Sequence, residues 1–183
     1  ANLESMKAVV AAAFKFQSPV IIEFSPGEVD HMGVDQAVAL GRAFEKQYSV
    51  PIILNLDHGT NPEKIIQAID AGFDYVHYDG GKVPFEEALK TGKMLADYAH
   101  GKGVLIEGEI DHIEGSSADH TDSKPDVDSK LYTDPNQAKE FIEKTGFDVF
   151  ASFVGNLHGI YAESKNLNLE LLKNIQETLP NTY

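Results

Sequence analysis

Five short apolar runs alternate with longer segments of helical periodicity along this chain of 183 residues. The runs consist mainly of branched and aromatic residues, are too short for helices, and lie at 20–24, 52–56, 75–78, 104–110 and 149–154. The segments between them repeat apolar residues three and four positions apart, as amphipathic helices do. This alternation predicts a parallel sheet covered by helices, either a barrel or a doubly wound open sheet.

Polar side chains follow nearly every predicted strand at its carboxyl end. In an open sheet the chemistry concentrates where the strand order reverses, whereas a barrel gathers all its strand ends around one mouth. The pattern therefore favours an α/β fold of the TIM (β/α)8 barrel type. Five parallel strands do not close a barrel, and open parallel edges would be exposed. We expect residues 1–183 to form a single partial barrel domain, without the first and last strands, that does not fold or act alone.

The composition narrows the class of protein. Hydrophobic residues make up 42% of the chain and charged residues 24%, which is typical of a globular protein. A net charge of −14 argues against a nucleic-acid partner, and the absence of cysteine excludes disulfides and thiolate metal sites. No apolar run reaches the length of a membrane span. We expect a cytoplasmic enzyme with neither a nucleic-acid nor a membrane partner.

A polar segment rich in Asp, Ser and Lys precedes the last predicted strand, at about residues 111–133. It is too long for an ordinary connection between two elements. Long loops of this kind often close over active sites, so we predict a lid or a mobile active-site loop.

The candidate site residues cluster at the carboxyl ends of the predicted strands: Ser25, Asp57, His58, Asp79, Glu109 and His158. Two histidines with carboxylates are the ligands that a divalent transition metal prefers, zinc above all. The other histidines are expected to be structural or solvated: His31, His77, His100, His112 and His120.

Two carboxylates near the histidines have alternative roles. Adjacent strand residues point to opposite faces, so Asp57 cannot easily bind the metal held by His58 unless a turn relaxes the rule. Asp57 could then stand beside the metal as a general acid or base. Glu107 shares a face with Glu109, and it either orients a metal-binding histidine or forms an ion pair.

Five motifs carry a family resemblance: Leu56-Asp57-His58-Gly59, Tyr78-Asp79-Gly80, Glu107-Gly108-Glu109, Tyr132-Thr133-Asp134-Pro135 and Gly155-Asn156-Leu157-His158-Gly159. In this order and spacing they resemble the class II, metal-dependent fructose-bisphosphate aldolase family, which includes tagatose-bisphosphate aldolases. The family fold is a TIM barrel, and the resemblance implies that this chain covers only its middle.

The resemblance also implies roles for individual residues. His58 and His158 correspond to zinc ligands, and Asp57 corresponds to the residue that carries a proton to or from the aldehyde oxygen. Asp79 and Glu109 correspond to carboxylates around an alternative or second metal position. The substrate contacts implied are Ser25, Asn156 and Gly159, the last also at a monovalent-cation site.

The implied reaction is zinc-dependent aldol cleavage of fructose 1,6-bisphosphate into dihydroxyacetone phosphate and glyceraldehyde 3-phosphate, through a metal-stabilised enediolate. The implied assembly is a homo-oligomer, a dimer or tetramer, that binds a sugar phosphate. The loop at 112–118 departs from the family, with serines at usually acidic positions and Glu114 as a shifted substitute. The alternatives are an aldolase for another ketose phosphate such as tagatose 1,6-bisphosphate, a divergent non-catalytic paralogue that binds a sugar phosphate or metal, and a barrel metal-dependent hydrolase.

Overall fold

A computed structural model describes residues 2–111, 119–122, 128–163 and 166–183. The departing loop at 112–118, with Glu114, lies outside the described residues, as does 123–127 of the predicted lid. The helices are α1 (Leu3–Phe16), α2 (Pro26–Met32), α3 (Val34–Tyr48), α4 (Pro62–Ala71), α5 (Phe85–Lys102), α6 (Pro135–Thr145) and α7 (Leu169–Thr178). The strands are β1 (Val20–Phe24), β2 (Ile52–Gly59), β3 (Tyr75–Asp79), β4 (Leu105–Glu109), β5 (Asp119–His120), β6 (Val149–Phe150) and β7 (Ile160–Tyr161).

Among the described residues, the five predicted strands form one parallel sheet in the order β1-β2-β3-β4-β6. The first pair is in regular register from Val20 opposite Ile52 to Phe24 opposite Leu56. The structure thus confirms the predicted sheet, and the largest differences in strand length are in β2 and β6. β2 continues three residues past the predicted end, through the Asp57-His58 pair, whereas β6 is much shorter than predicted. The short strands β5 and β7 pair separately.

The side chains of Asn61 and Asp134 cap the starts of α4 and α6. The Asn61 side chain accepts from the Glu63 N–H at 2.8 Å, and Asp134 accepts from the next two N–H donors beyond Pro135. Helix α2 was not predicted. Ser25 caps it, and the Glu28 carboxylate accepts in return from the Ser25 N–H at 2.8 Å, which completes a capping box.

The chain divides into two compact units, which are described separately: Ala1–Tyr78 with Met94–Glu107, and Asp79–Lys93 with Gly108–Tyr183. In the first unit, Arg42 and Asp74 fix the edge of the β2–β3 pair. The Arg42 Nη2 donates to Asp74 Oδ1 at 2.5 Å, while Asp74 Oδ2 accepts from the Leu54 N–H at 2.8 Å. The side chains of Leu54 and Leu56 in β2 are fully buried in the core.

In the second unit, β4 packs its one glycine against aromatic rings. The Phe141 and Phe147 rings lie 5.1 Å apart, centroid to centroid, in an edge-on arrangement. A methyl group at Gly108 would collide with both rings. The glycine therefore lets the aromatic core approach the strand while its neighbour Glu109 occupies the opposite face.

The described residues contain no helix with the length and apolar character needed to cross a bilayer.

We predict that Gly108→Ala destabilises the protein by about 1–3 kcal/mol, the usual cost of overpacking a filled core. The rings of Phe141 and Phe147 leave no space for the added methyl group. Gly101→Ala is the matched control, because Gly101 lies in α5 with no atom within 4 Å of the added methyl. That variant should be neutral or slightly stabilising. Chemical denaturation of both variants checks this, and equal stabilities would contradict it.

Candidate active site

Strand β2 carries one extra residue at its carboxyl end. Leu56 pairs with Val76 and Gly59 pairs with Tyr78, so three steps along β2 match two along β3. Asp57 and His58 together therefore lie opposite the single residue His77, which is the arrangement of a β-bulge. His58 adopts a left-handed backbone conformation with φ of +51°. This conformation costs a residue other than glycine roughly 1 kcal/mol or more, so surrounding contacts must hold it.

The bulge brings two neighbouring side chains to one place. The metal-ligand atoms of Asp57, His58 and His77 all lie within 4.8 Å of one another. In a regular strand Asp57 and His58 would point to opposite faces. The bulge is a local distortion that relaxes this rule, in place of the turn that was expected.

His77 contacts both residues of the bulge from β3. Its Nδ1 accepts a hydrogen bond from the His58 N–H at 3.3 Å and lies 3.4 Å from Asp57 Oδ1. The imidazole rings of His58 and His77 are 4.7 Å apart, centroid to centroid. The His77 side chain is only 4% exposed, whereas that of Asp57 is 34% exposed. A ligand can therefore reach Asp57 directly.

Gly59 ends the bulge where the backbone of β3 comes close. A Cβ there would stand 2.9 Å from the His77 carbonyl oxygen and 2.7 Å from Ile65 Cγ1. The glycine that follows the Asp-His pair is thus required by this close approach.

A cavity of about 400 Å³ opens beside Asp57 in the first unit. Its polar lining comprises Ser5, Glu23, Ser25, Glu28 and Asp57. The structure therefore places the predicted residues Ser25 and Asp57 at one cavity. The Ser25 hydroxyl belongs to the cap of α2, where it donates to Glu28 Oε2 at 3.1 Å.

Glu107 lies in the part of β4 that belongs to the first unit. Its hydrogen-bond partner there is neither a histidine nor a charged group, the two partners that were predicted. Its Oε2 accepts a hydrogen bond from the Tyr75 hydroxyl at 2.7 Å. The Tyr75–Glu107 bond joins β3 to β4.

In the second unit, Asp79 and Glu109 come together at the ends of β3 and β4. Their carboxylate oxygens lie within 4.8 Å of each other, and Glu109 is buried. The Gly80 N–H donates to the Glu109 carbonyl oxygen at 2.8 Å, which holds the two strand ends together. In this unit the two strand-end carboxylates are therefore neighbours.

The predicted residues Asn156, His158 and Gly159 lie in one loop of the second unit, beyond the short strand β6. The Asn156 Oδ1 accepts from the Val154 N–H at 2.9 Å, and Gly159 takes a left-handed backbone with φ of +102°. His158 is half-buried. Among the described residues of this unit, it does not join Asp79 and Glu109 within 4.8 Å.

Asp111 is a half-buried carboxyl group that was not among the predicted site residues. The Thr133 hydroxyl donates to Asp111 Oδ2, and the Phe153 N–H donates to Thr133 Oγ1 at 2.7 Å. Burial raises the pKa of Asp111 to about 6, and the nearby charge of Glu109 acts in the same direction. The hydrogen bonds from Thr133 and Phe153 partly oppose this rise.

The residues present fit a divalent metal ion. The first unit gathers two imidazoles and a carboxylate, and the second gathers two carboxylates, each set within 4.8 Å. Imidazole nitrogen and carboxylate oxygen are ligands of zinc and of related divalent transition metals. The chain offers no cysteine, so a thiolate-rich site is excluded.

Comparison with known protein families decides the relationship. A family model for class II fructose-bisphosphate aldolases matches this chain over residues 1–182. The chain belongs to the class II fructose-bisphosphate aldolase family. The resemblance carried by the five sequence motifs is confirmed.

Solved structures of aldolases from several organisms are similar to this chain. The YdjI aldolase from Escherichia coli K12 is 31% identical with a TM-score of 0.79, over 97% of this chain and 60% of its own. A candidate fructose-1,6-biphosphate aldolase from Coccidioides immitis is 30% identical with a TM-score of 0.83, over 99% and 63%. The fructose-bisphosphate aldolase of Campylobacter jejuni is 29% identical with a TM-score of 0.71, over 96% and 57%. The chain thus spans about three-fifths of these aldolases, which confirms the predicted incomplete barrel.

Sequence reasoning missed the contacts of His77 and Asp111 with the site. His77 had a usable signal, because it precedes Asp79 by two residues and so shares its face of β3. Asp111 had none, since its partner Thr133 lies 22 residues away along the chain.

We predict that Asp111 makes stability fall as the pH rises from about 4 to about 7. Its pKa is about 6 in the folded protein and near 3.8 unfolded, so the folded state binds the proton more tightly. The contribution of Asp111 to the free energy of unfolding is fully present below pH 3.8 and is lost as the pH rises through 6. Asp111→Asn cannot ionise, so its stability relative to wild type should increase by about 2 kcal/mol across this range. Urea unfolding of both proteins in EDTA checks this, and a constant difference would contradict it.

Proposed function

We propose that the protein carrying this chain is a metal-dependent aldolase that cleaves and forms a ketose bisphosphate. The observation that carries the proposal is the bulge at the end of β2, where Asp57 and His58 meet with their ligand atoms within 4.8 Å. A proton carrier and a metal ligand are thereby held side by side. The family match and the names of the similar structures support fructose 1,6-bisphosphate as the substrate.

We assign His58 and His158 as ligands of a catalytic zinc ion, and Asp79 and Glu109 as carboxylates of an alternative or second metal position. The half-burial of both histidines leaves each of them accessible to an ion. When bound, a divalent metal would act as a Lewis acid on the carbonyl oxygen of the ketose or triose phosphate.

Asp57 is the proposed general acid and base. Its side chain is more exposed than that of its neighbour His77. It lines the cavity that Ser25 also lines. In cleavage, its carboxylate would take the proton from the substrate hydroxyl whose oxygen becomes the aldehyde. In condensation, it would return that proton to the same oxygen as the new carbon–carbon bond forms.

The remaining proposed contacts place the sugar phosphate. Ser25 lies at the cavity beside Asp57, and a modest rotation of its hydroxyl away from Glu28 would let it bind a substrate oxygen. Gly159 would offer its backbone to the substrate and to a monovalent cation, with Asn156 shaping the same loop. Cytoplasmic location and assembly as a homo-oligomer stay predictions of the sequence.

The full-length protein should cleave fructose 1,6-bisphosphate in an assay that detects the triose phosphates. EDTA should abolish the activity and zinc should restore it. Asp57→Asn should lower kcat by about 100-fold or more with unchanged metal content, because it removes the proton carrier. Tagatose 1,6-bisphosphate is assayed in parallel, and faster cleavage of that sugar would replace the proposed substrate while retaining the reaction.

Asp30→Asn is the matched control, because it removes an equal charge from an exposed ion pair with Lys64 in the same unit. It should change kcat by less than about twofold, since exposed pairs contribute little. A protein that binds zinc but cleaves neither sugar would be a non-catalytic paralogue and would contradict the proposal. Equal loss of zinc and activity in Asp57→Asn would make Asp57 a ligand and refute its role as the proton carrier.

A further inference from the structure

The bulge in β2 gives the His58 N–H a side-chain partner on β3. Its hydrogen bond goes to the Nδ1 of His77, at 3.3 Å. We propose that His77 is a positioning residue whose imidazole fixes the backbone of His58 and the directions of the Asp57 and His58 side chains. This inference rests on the proposed function, in which that pair binds the metal and moves the proton.

The geometry gives His77 a place that no other described residue of the first unit shares. It is the residue that β3 sets opposite the bulge, between the Leu56–Val76 pair and the Gly59–Tyr78 pair. The left-handed backbone of His58 turns its N–H towards this side chain. A regular strand pair would not need a side-chain acceptor at this position.

The His77 ring contacts both members of the pair. Besides accepting from the His58 N–H, the His77 ring lies 4.7 Å from the His58 ring and its Nδ1 lies 3.4 Å from Asp57 Oδ1. Its side chain is 4% exposed, so it cannot meet a substrate directly. His77 therefore acts through its two neighbours, in the way that groups behind metal ligands orient them.

Only a side chain with an acceptor atom at the position of Nδ1 should be able to replace His77. In His77→Asn, the side-chain oxygen stands close to where Nδ1 stood, so it can still accept from His58. In His77→Gln the acceptor is one bond farther out, near the former Nε2. In His77→Phe a ring of similar shape remains, but it has no acceptor. These three variants separate the hydrogen bond from the filling of space.

The first measurement is hydrogen exchange of the His58 amide in the metal-free full-length protein. His77→Phe and His77→Gln should speed this exchange by about three- to tenfold relative to wild type, the effect of losing one hydrogen bond. His77→Asn should stay within about twofold. Because no metal or sugar is present, this result does not depend on the proposed function. Equal exchange in all three variants would overturn the proposal.

The second measurement is binding of Co²⁺, followed by its visible absorption. His77→Phe and His77→Gln should weaken binding by about 10- to 100-fold and alter the spectrum, whereas His77→Asn should restore both. Unchanged affinity and spectrum in His77→Phe would overturn the positioning role. Normal Co²⁺ binding by a wild-type protein that cleaves no sugar would instead contradict only the proposed function.

Discussion

The arrangement of the first unit depends on one extra residue in β2. Because two residues of β2 face one residue of β3, Asp57 and His58 project to a common place instead of to opposite faces of the sheet. The strained backbone of His58 is held by a hydrogen bond to His77, and the close approach of β3 explains the glycine that follows. The paired functions proposed for Asp57 and His58 require this local distortion.

In the second unit, two carboxylates come together through the ordinary alternation of side chains along a strand. Gly108 lets the aromatic side chains of Phe141 and Phe147 pack against β4, while Glu109 points to the opposite face and meets Asp79. Asp111, just beyond the strand, is tied to Thr133 and through it to the Phe153 N–H. Carboxylates close to one another repel, and a bound cation would offset this repulsion. That is the electrostatic setting in which a divalent metal binds.

Much of this fold could be predicted from the sequence because its signals are local. Strand length, helical periodicity and the capping residues Asn61 and Asp134 act within a few positions, and the five strands were found where they were predicted. Helix α2 was missed although the pattern from Ser25 to Glu28 is a capping box. The bulge could not be predicted, because it depends on the register with a strand some twenty residues later. The contacts of His77 follow from that register, although its place two residues before Asp79 puts both on one face of β3 and was a local signal.

The central claim is that the bulge sets a metal ligand beside a proton carrier that does not bind the metal. Anomalous X-ray diffraction at the zinc absorption edge, on crystals of the full-length protein grown with zinc, tests this most directly. The account predicts a zinc peak about 2.0–2.1 Å from an imidazole nitrogen of His58, with the Asp57 carboxylate nearby but outside bonding distance. A zinc ion bound to Asp57, or bound elsewhere with His58 unliganded, would contradict it.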